Sequence, residues 1–287
     1  MIDGINCRVH GKSLQNIMHC DKLQFKEYPN RSEAKYKGLI IAVYSEPLQA
    51  YVRGSIHKFN NEGRHNADLF AYQDFRLALA KLKKELGICS SELEVRRFEI
   101  GVNVPLNYPE WQCINTIALI NNRMPTKKSN GLSVEYQQYS IKIYSKSKQY
   151  PEFKGKNIIR IEIAYSRKDK LTKDLCKIST LDEVLEFSVW RKMADVLKRL
   201  VCKIVFFDYS EIKKERLEVK EALIFYEWSN PVRISQEPDK SRKCRMKKQA
   251  YDIYLKYSEN SKAKDLLRRV DNTLKEILKF ETTVATN

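Results

Sequence analysis

The run LEVRRFEIGVNVPL, residues 93–106, constrains this chain most. Its apolar and polar residues alternate with the two-residue period of a strand that buries one face. Phe98, Ile100 and Val102 fall on one side, and Glu99 shares the other with Arg97 and Gly101. A strand of this kind needs partners. INCRVH and GLIIAVYSE read as strands, and AYVRGSIHKF follows the second closely enough to form a hairpin with it. YSIKIYSKSKQY and NIIRIEIAYS are further strand-forming runs. Helical spacing appears in YQDFRLALAKLKKELGI, closed by Gly87, and in YPEWQCINTIALINN, with Pro109 in its first turn. No internal repeat is evident along the chain. The order of these elements predicts an α+β fold, a central antiparallel sheet with helices packed on it.

The character changes near residue 180. STLDEVLEFSVWRKMADVLKRLVCKIVFF reads as helical from a Ser/Thr cap, Pro231 and Pro238 mark a turn region, and Ser241 to Phe280 is helical and lysine-rich. The expected division is a sheet domain over 1–178 and a mostly helical, basic C-terminal domain over 179–287. With 53 Lys and Arg against 36 Asp and Glu, the formal charge is +17, so the surface attracts polyanions, of which nucleic acid is the commonest. Arg242, Lys243, Arg245, Lys247 and Lys248 stand beside Tyr251, Tyr254 and Tyr257, a composition suited to phosphate contacts with stacking, or to a solvated face closing a helical bundle. The seven cysteines are odd in number and include no Cys-x-x-Cys pair, which argues against a disulfide framework or zinc knuckle and fits a reducing cytoplasm. Without a run of about 18 apolar residues or a signal-peptide layout, the expectation is a protein neither exported nor held in a membrane.

Three groups of residues carry chemistry. His57 and His65 flank an Asn/Gly-rich turn, and two imidazoles folded together there can bind a divalent metal, or can serve as ordinary strand and loop residues. Glu99 can complete an oxygen-and-nitrogen site suited to Mg²⁺ or Mn²⁺, or pair with Arg97 or Arg160, and Glu162 in RIEIAY carries the same ambiguity. Tyr144 lies among Lys142, Lys146 and Lys148. A phenol there can attack a phosphodiester if a metal polarises the phosphate and lysines stabilise the developing charge, or it can simply pack at an interface.

Taken in order, these pieces resemble the gene II replication initiators of filamentous phages and related rolling-circle proteins of phages and plasmids, within the HUH endonucleases. GSIHKFNNEGRHN is similar to that family's Gly-Asn-Pro-x-Lys-Phe…Gly-His-Asn segment through Gly54, Lys58, Phe59, His65 and Asn66. RRFEIGVNV places Glu99 at the family's acidic position, IKIYSKSKQY places Tyr144 and Lys146 in the block of the nucleophilic tyrosine, and IIRIEIAY resembles the Arg-x-Glu strand that follows. His57 stands where the family has no histidine, so its place in the ligand set rests on proximity to His65. The likeness covers roughly residues 1–180. It implies an HUH/Rep-like fold and a metal-dependent nickase in the cytoplasm of a bacterial host. In that reading Tyr144 is the nucleophile and Lys146 its electrostatic helper. His65, Glu99 and His57 hold Mg²⁺ or Mn²⁺, and Lys58, Lys142 and Lys148 contact DNA together with the C-terminal cluster. Implied partners are single-stranded and origin duplex DNA, with host helicase and polymerase. A non-catalytic DNA-binding regulator on the same fold, or a relaxase or transposase of the same chemistry, remains the alternative.

Overall fold

The computed structural model describes residues 1–258 and 262–279, which leaves Phe280, the last residue of the expected C-terminal helix, outside the described residues. In chain order, strand β1 (Ile2–Val9) is followed by helix α1 (Gly11–Met18), the meander β2 (Phe25–Tyr28), β3 (Arg31–Tyr36), β4 (Leu39–Ser45), β5 (Leu48–Ser55), and helices α2 (Ile56–Asn60) and α3 (Tyr72–Leu86). The next segment runs β6 (Leu93–Pro105), α4 (Glu110–Ile114), β7 (Ile117–Ile120), then the meander β8 (Thr126–Lys128), β9 (Gly131–Glu135), β10 (Tyr139–Ser145), β11 (Ile158–Tyr165), and helices α5 (Lys168–Asp174) and α6 (Phe187–Val201). Strand β12 (Ile204–Phe206) precedes α7 (Val219–Trp228), α8 (Pro231–Gln236), α9 (Lys240–Tyr257) and α10 (Lys262–Ile277).

Ten strands form one antiparallel sheet in the order β2-β3-β4-β5-β1-β6-β11-β10-β9-β8. The fold is therefore α+β, with a helical C-terminal segment. The two strands that open the halves, β1 and β6, meet at the centre; in each half the chain then crosses to the outer edge of the sheet and comes back inward through a four-strand meander whose last strand pairs with the half's opening strand. The topology is thus repeated although no sequence repeat announces it. Ile5, Cys7, Val9, Phe98, Ile100, Ile143, Ile161 and Ile163 are buried on one face. They join the buried stripes of α3 and α6 in one connected core, within which Phe75 and Trp190 lie 5.7 Å apart.

The structure differs from expectation in three respects. The strand read through AYVRGSIHKF ends at Ser55, whose side chain accepts a bond from Lys58 N and caps α2, so His57 lies in a helix. Only Glu110–Ile114 of the expected second helix forms, and Ile117–Ile120 is a strand paired with Ile204–Phe206, beyond the end of α6. Both runs are wholly apolar and buried, so neither carries a period that distinguishes strand from helix. The short strands β2, β3, β8 and β9 enlarge the sheet beyond what the alternating runs foretell.

Candidate active site

Antiparallel partners share a face, and the register of the central strands gathers the polar side chains. Glu162 on β11 is opposite Gly101 on β6 and Lys142 on β10, while Arg160 is opposite Asn103 and Tyr144. Ala164 is opposite Glu99, which places Glu99, Asn103, Lys142, Tyr144, Arg160 and Glu162 on the side away from the apolar core. Two glycines make room for them. A Cβ at Gly4 would collide with the Glu99 carboxylate, and one at Gly131 would come 2.5 Å from Tyr144 Cα.

Arg160 organises the buried end of this cluster. It is 2% exposed. Its Nε donates to Glu162 Oε2 at 2.9 Å and its Nη1 to Asn103 Oδ1 at 2.9 Å. Its Nη2 stands 3.1 Å from Asp3 Oδ2, an ion pair without hydrogen-bond alignment. Asp3 also accepts from Ser55 Oγ and, at 2.6 Å, from Asn66 Nδ2. Burial works against the Asp3 carboxylate, but Arg160 and Lys146 together with the hydrogen bonds from Ser55 and Asn66 outweigh it and hold the group below its ordinary range. Burial likewise opposes Glu162, and Arg160 with Lys142 holds that carboxyl low. Glu99 goes the other way, pushed up by burial and by the nearby charge of Glu162.

Tyr144 Oη donates to Glu162 Oε2 at 3.2 Å. Lys142 Nζ donates to Glu162 Oε1 at 3.1 Å and lies 3.9 Å from Glu99 Oε1, so one ammonium bridges two carboxylates. Burial pushes the Tyr144 phenol above its ordinary value, and Glu162 adds to the effect, so the resting phenol is protonated. Lys146 Nζ lies 5.5 Å from the ring centres of both Tyr144 and Tyr150, and burial, with Arg160 nearby, brings it down to about 7. Tyr144, Lys142 and Glu162 open into a cleft of about 340 Å³ whose other wall includes Lys128, Asn130 and Ser133 of the β8–β9 hairpin.

The structure does not gather the expected metal ligands. His57 is buried, stacked on Phe70 at 4.4 Å, with Nε2 2.6 Å from Asp68. His65 packs edge-on against Phe153 at 4.8 Å and lies 3.4 Å from Asp68. Glu99 instead lies beside Gly4, Lys142 and Glu162. His57 and His65 both approach Asp68 Oδ1, but among the described residues no group of three His, Cys, Asp or Glu side chains is arranged to hold a metal. The physical reason is that α2 turns His57 into the core beside Phe70, where stacking and the Asp68 contact occupy it. Asn66, by contrast, joins the cluster through Asp3 and accepts from Tyr150 Oη at 2.5 Å.

Lys58 lies over the Tyr150 ring at 5.2 Å, and Lys148 is exposed just past β10. In α9, Arg242 lies over Trp228, Lys243 donates to Ser235 O, and Lys247 donates to Asn122, while Arg245 and Lys248 are exposed. Tyr251, Tyr254 and Tyr257 are not a stacking platform. Tyr251 and Tyr254 pack against Phe207, and the Tyr254 and Tyr257 hydroxyls donate to Glu211 and Glu221. Sequence reasoning missed Asp3 and the organising role of Arg160. The signals were present as a charged residue inside an apolar opening strand and as the shared parity of Arg160 with Glu162. No family model matches the chain, and no curated protein matches it. Among the described residues no helix is long and apolar enough to cross a membrane.

Proposed function

We propose that this protein initiates rolling-circle replication in the cytoplasm of a bacterial host by nicking and rejoining single-stranded DNA through Tyr144. The observation that carries this reading is the Tyr144 phenol, hydrogen-bonded to Glu162 at the wall of an open cleft and flanked by the ammonium groups of Lys142 and Lys146. In the nicking step the Tyr144 oxygen bonds to phosphorus and the bond from phosphorus to the 3′-oxygen breaks. The phenol proton leaves to water in the cleft while Glu162, which accepts the phenol's hydrogen bond, stays ionised, and the departing 3′-oxygen takes a proton from water. The 5′-phosphotyrosine conserves the energy of the broken bond, so attack by a 3′-hydroxyl restores the strand without ATP. Lys142 stands where it can meet the phosphate charge.

Glu99 and Glu162 are the hard oxygen groups at the cleft that would hold a Mg²⁺ or Mn²⁺ ion, which would have to take the place of the Lys142 ammonium that now bridges them. Such an ion supplies charge neutralisation at the scissile phosphate. The histidines are not part of this proposed set.

The test mixes the protein, or its Tyr144→Phe variant, with labelled single strands tiled across the parent replicon and Mn²⁺. A denaturation-resistant adduct is expected with the unchanged protein only, with noncovalent affinity equal in both. An adduct that survives Tyr144→Phe moves the nucleophile elsewhere. Tight binding with no adduct from either favours a non-catalytic regulator.

A further inference from the structure

The polar face of the sheet does not end at the cleft. It continues across β1 and the first meander, and its chemistry changes there. Cross-strand register places Asn6, Arg53 and Arg97 on one row and Arg8 with Tyr51 on the next. Arg53 is opposite Ile40 and Ile40 opposite Lys35, while Tyr44 is opposite Gln49. Glu33 is opposite Lys26, and Arg31 opposite Tyr28. Six cations, Arg8, Lys26, Arg31, Lys35, Arg53 and Arg97, thus share this half of the face with two carboxylates, Glu33 from the meander and Glu94, which is opposite Arg8 and is paired with Arg96 and Lys168. Glu33 is engaged by Arg31 and Arg53. Arg8, Lys26, Lys35 and Arg97 have no ion-pair partner among the described residues, and the last three are exposed.

Aromatic rings are interleaved with these cations. Tyr44 and Tyr51 meet edge to face at 5.8 Å, and Tyr28, 39% exposed, lies under Arg31 at 5.1 Å. Such a row offers phosphate contacts and stacking planes without reading particular bases. The repeated topology makes the contrast informative. One half of the face carries the buried carboxylate cluster and the nucleophile, and the other carries more cations than carboxylates, with tyrosines among them. From β11 to β2 the face spans about 29 Å at about 4.8 Å per strand, the reach of several extended nucleotides.

We propose that single-stranded DNA lies across the β1–β5 half of the open sheet face, its backbone held by Arg8, Lys35 and Arg97 and its bases against Tyr44 and Tyr51, leading into the Tyr144 cleft. This rests on the reading of the protein as a DNA-acting enzyme. The occupant follows from charge complementarity and from the tyrosines set among the cations, which offer planes to unstacked bases, while this half of the face presents no helix to a duplex groove.

The test measures binding by fluorescence anisotropy, with oligothymidylates of about 8 and about 20 nucleotides and no divalent cation, on the Tyr144→Phe chain. The longer strand is expected to bind about tenfold more tightly. The triple variant Arg8→Ala/Lys35→Ala/Arg97→Ala is expected to lose about tenfold or more and to reduce the salt slope by about two. Tyr44→Ala/Tyr51→Ala is expected to weaken binding about fivefold to a hundredfold with the slope kept. Since Arg97 and Lys35 are exposed, a melting temperature equal to that of the parent chain checks that the triple variant is folded. Unchanged affinity and slope in the triple variant overturn the proposal, as does tighter binding of a duplex of equal length. The adduct assay reports on the nickase separately. An adduct without loss of binding in the triple variant rejects this path alone, and loss of binding without any adduct rejects the chemistry alone.

Discussion

Arg160 sits between two carboxylates that could not both stay charged without it, since Asp3 and Glu162 are 5% and 3% exposed. Arg160→Met is therefore expected to cost about 3–5 kcal/mol, the penalty of leaving buried charge unpaired. The sign with pH follows from the two acids. Both are held low in the folded protein, so their stabilising contribution is present above the ordinary carboxylate range and is lost as pH falls through their folded values. The penalty of Arg160→Met should be full near neutrality and shrink in acid. Urea midpoints for the two proteins at neutral and acid pH check this, and a penalty independent of pH would show that Arg160 acts through packing alone. Lys146 carries the opposite bias. It falls from 10.5 to about 7 on folding, so the unfolded chain binds the extra proton between those values and stability rises with pH across that window. Lys146→Met should stabilise the protein by a few kcal/mol at about pH 7 and below, with the gain shrinking by about 1.4 kcal/mol per pH unit above it. Denaturation midpoints from neutral to alkaline pH test it, and equal differences throughout would remove the charge argument.

At the scale of elements, the β9–β10 ladder sets where the nucleophile stands. Gly131 is opposite Tyr144, and a side chain there would run into Ile143 O and the Tyr144 backbone. Gly131→Ala should lower stability by about 1–3 kcal/mol and displace the phenol from Glu162. The expected signature is a larger loss of adduct formation than of strand binding, and full adduct yield would show that the ladder tolerates the shift. Elements whose period is long and clean were legible beforehand. Helix α3 ends at Gly87 in the left-handed conformation, as its spacing and glycine imply, and β4 and β5 form the expected hairpin. The strand parity that joined Tyr144 with Lys142, and isolated Glu99 from its apolar neighbours, also carried through to the site. What failed was local ambiguity and long-range assembly. The run IALI has no polar residue to reveal its period, and the exposed edge strand Thr126–Lys128 has no buried face. Asp3 reaches Arg160 only because β1 and β6 meet at the centre of the sheet, an adjacency that no window of sequence contains.

Two of the molecule's basic surfaces are the sheet face and the outward side of α9. A formal charge of +17 makes any nucleic acid bind with strong salt dependence, so total affinity cannot tell the two apart. Their geometry can. The sheet face carries tyrosines between its cations, whereas α9 presents Arg245 and Lys248 from a helix whose own tyrosines are turned inward to Phe207, Glu211 and Glu221. A helix with cations and no free rings suits the phosphates of a duplex beside the nick. It offers nothing to unstacked bases. Arg245→Gln/Lys248→Gln should then reduce the salt slope for an origin duplex by about two while leaving that for single strands unchanged, since each phosphate contact removed lowers the duplex slope by about 0.9. Titrations of both substrates at several salt concentrations measure this directly. An equal change for both substrates would mean that α9 adds only general attraction, and no change in either would leave it a structural helix closing the molecule against α7.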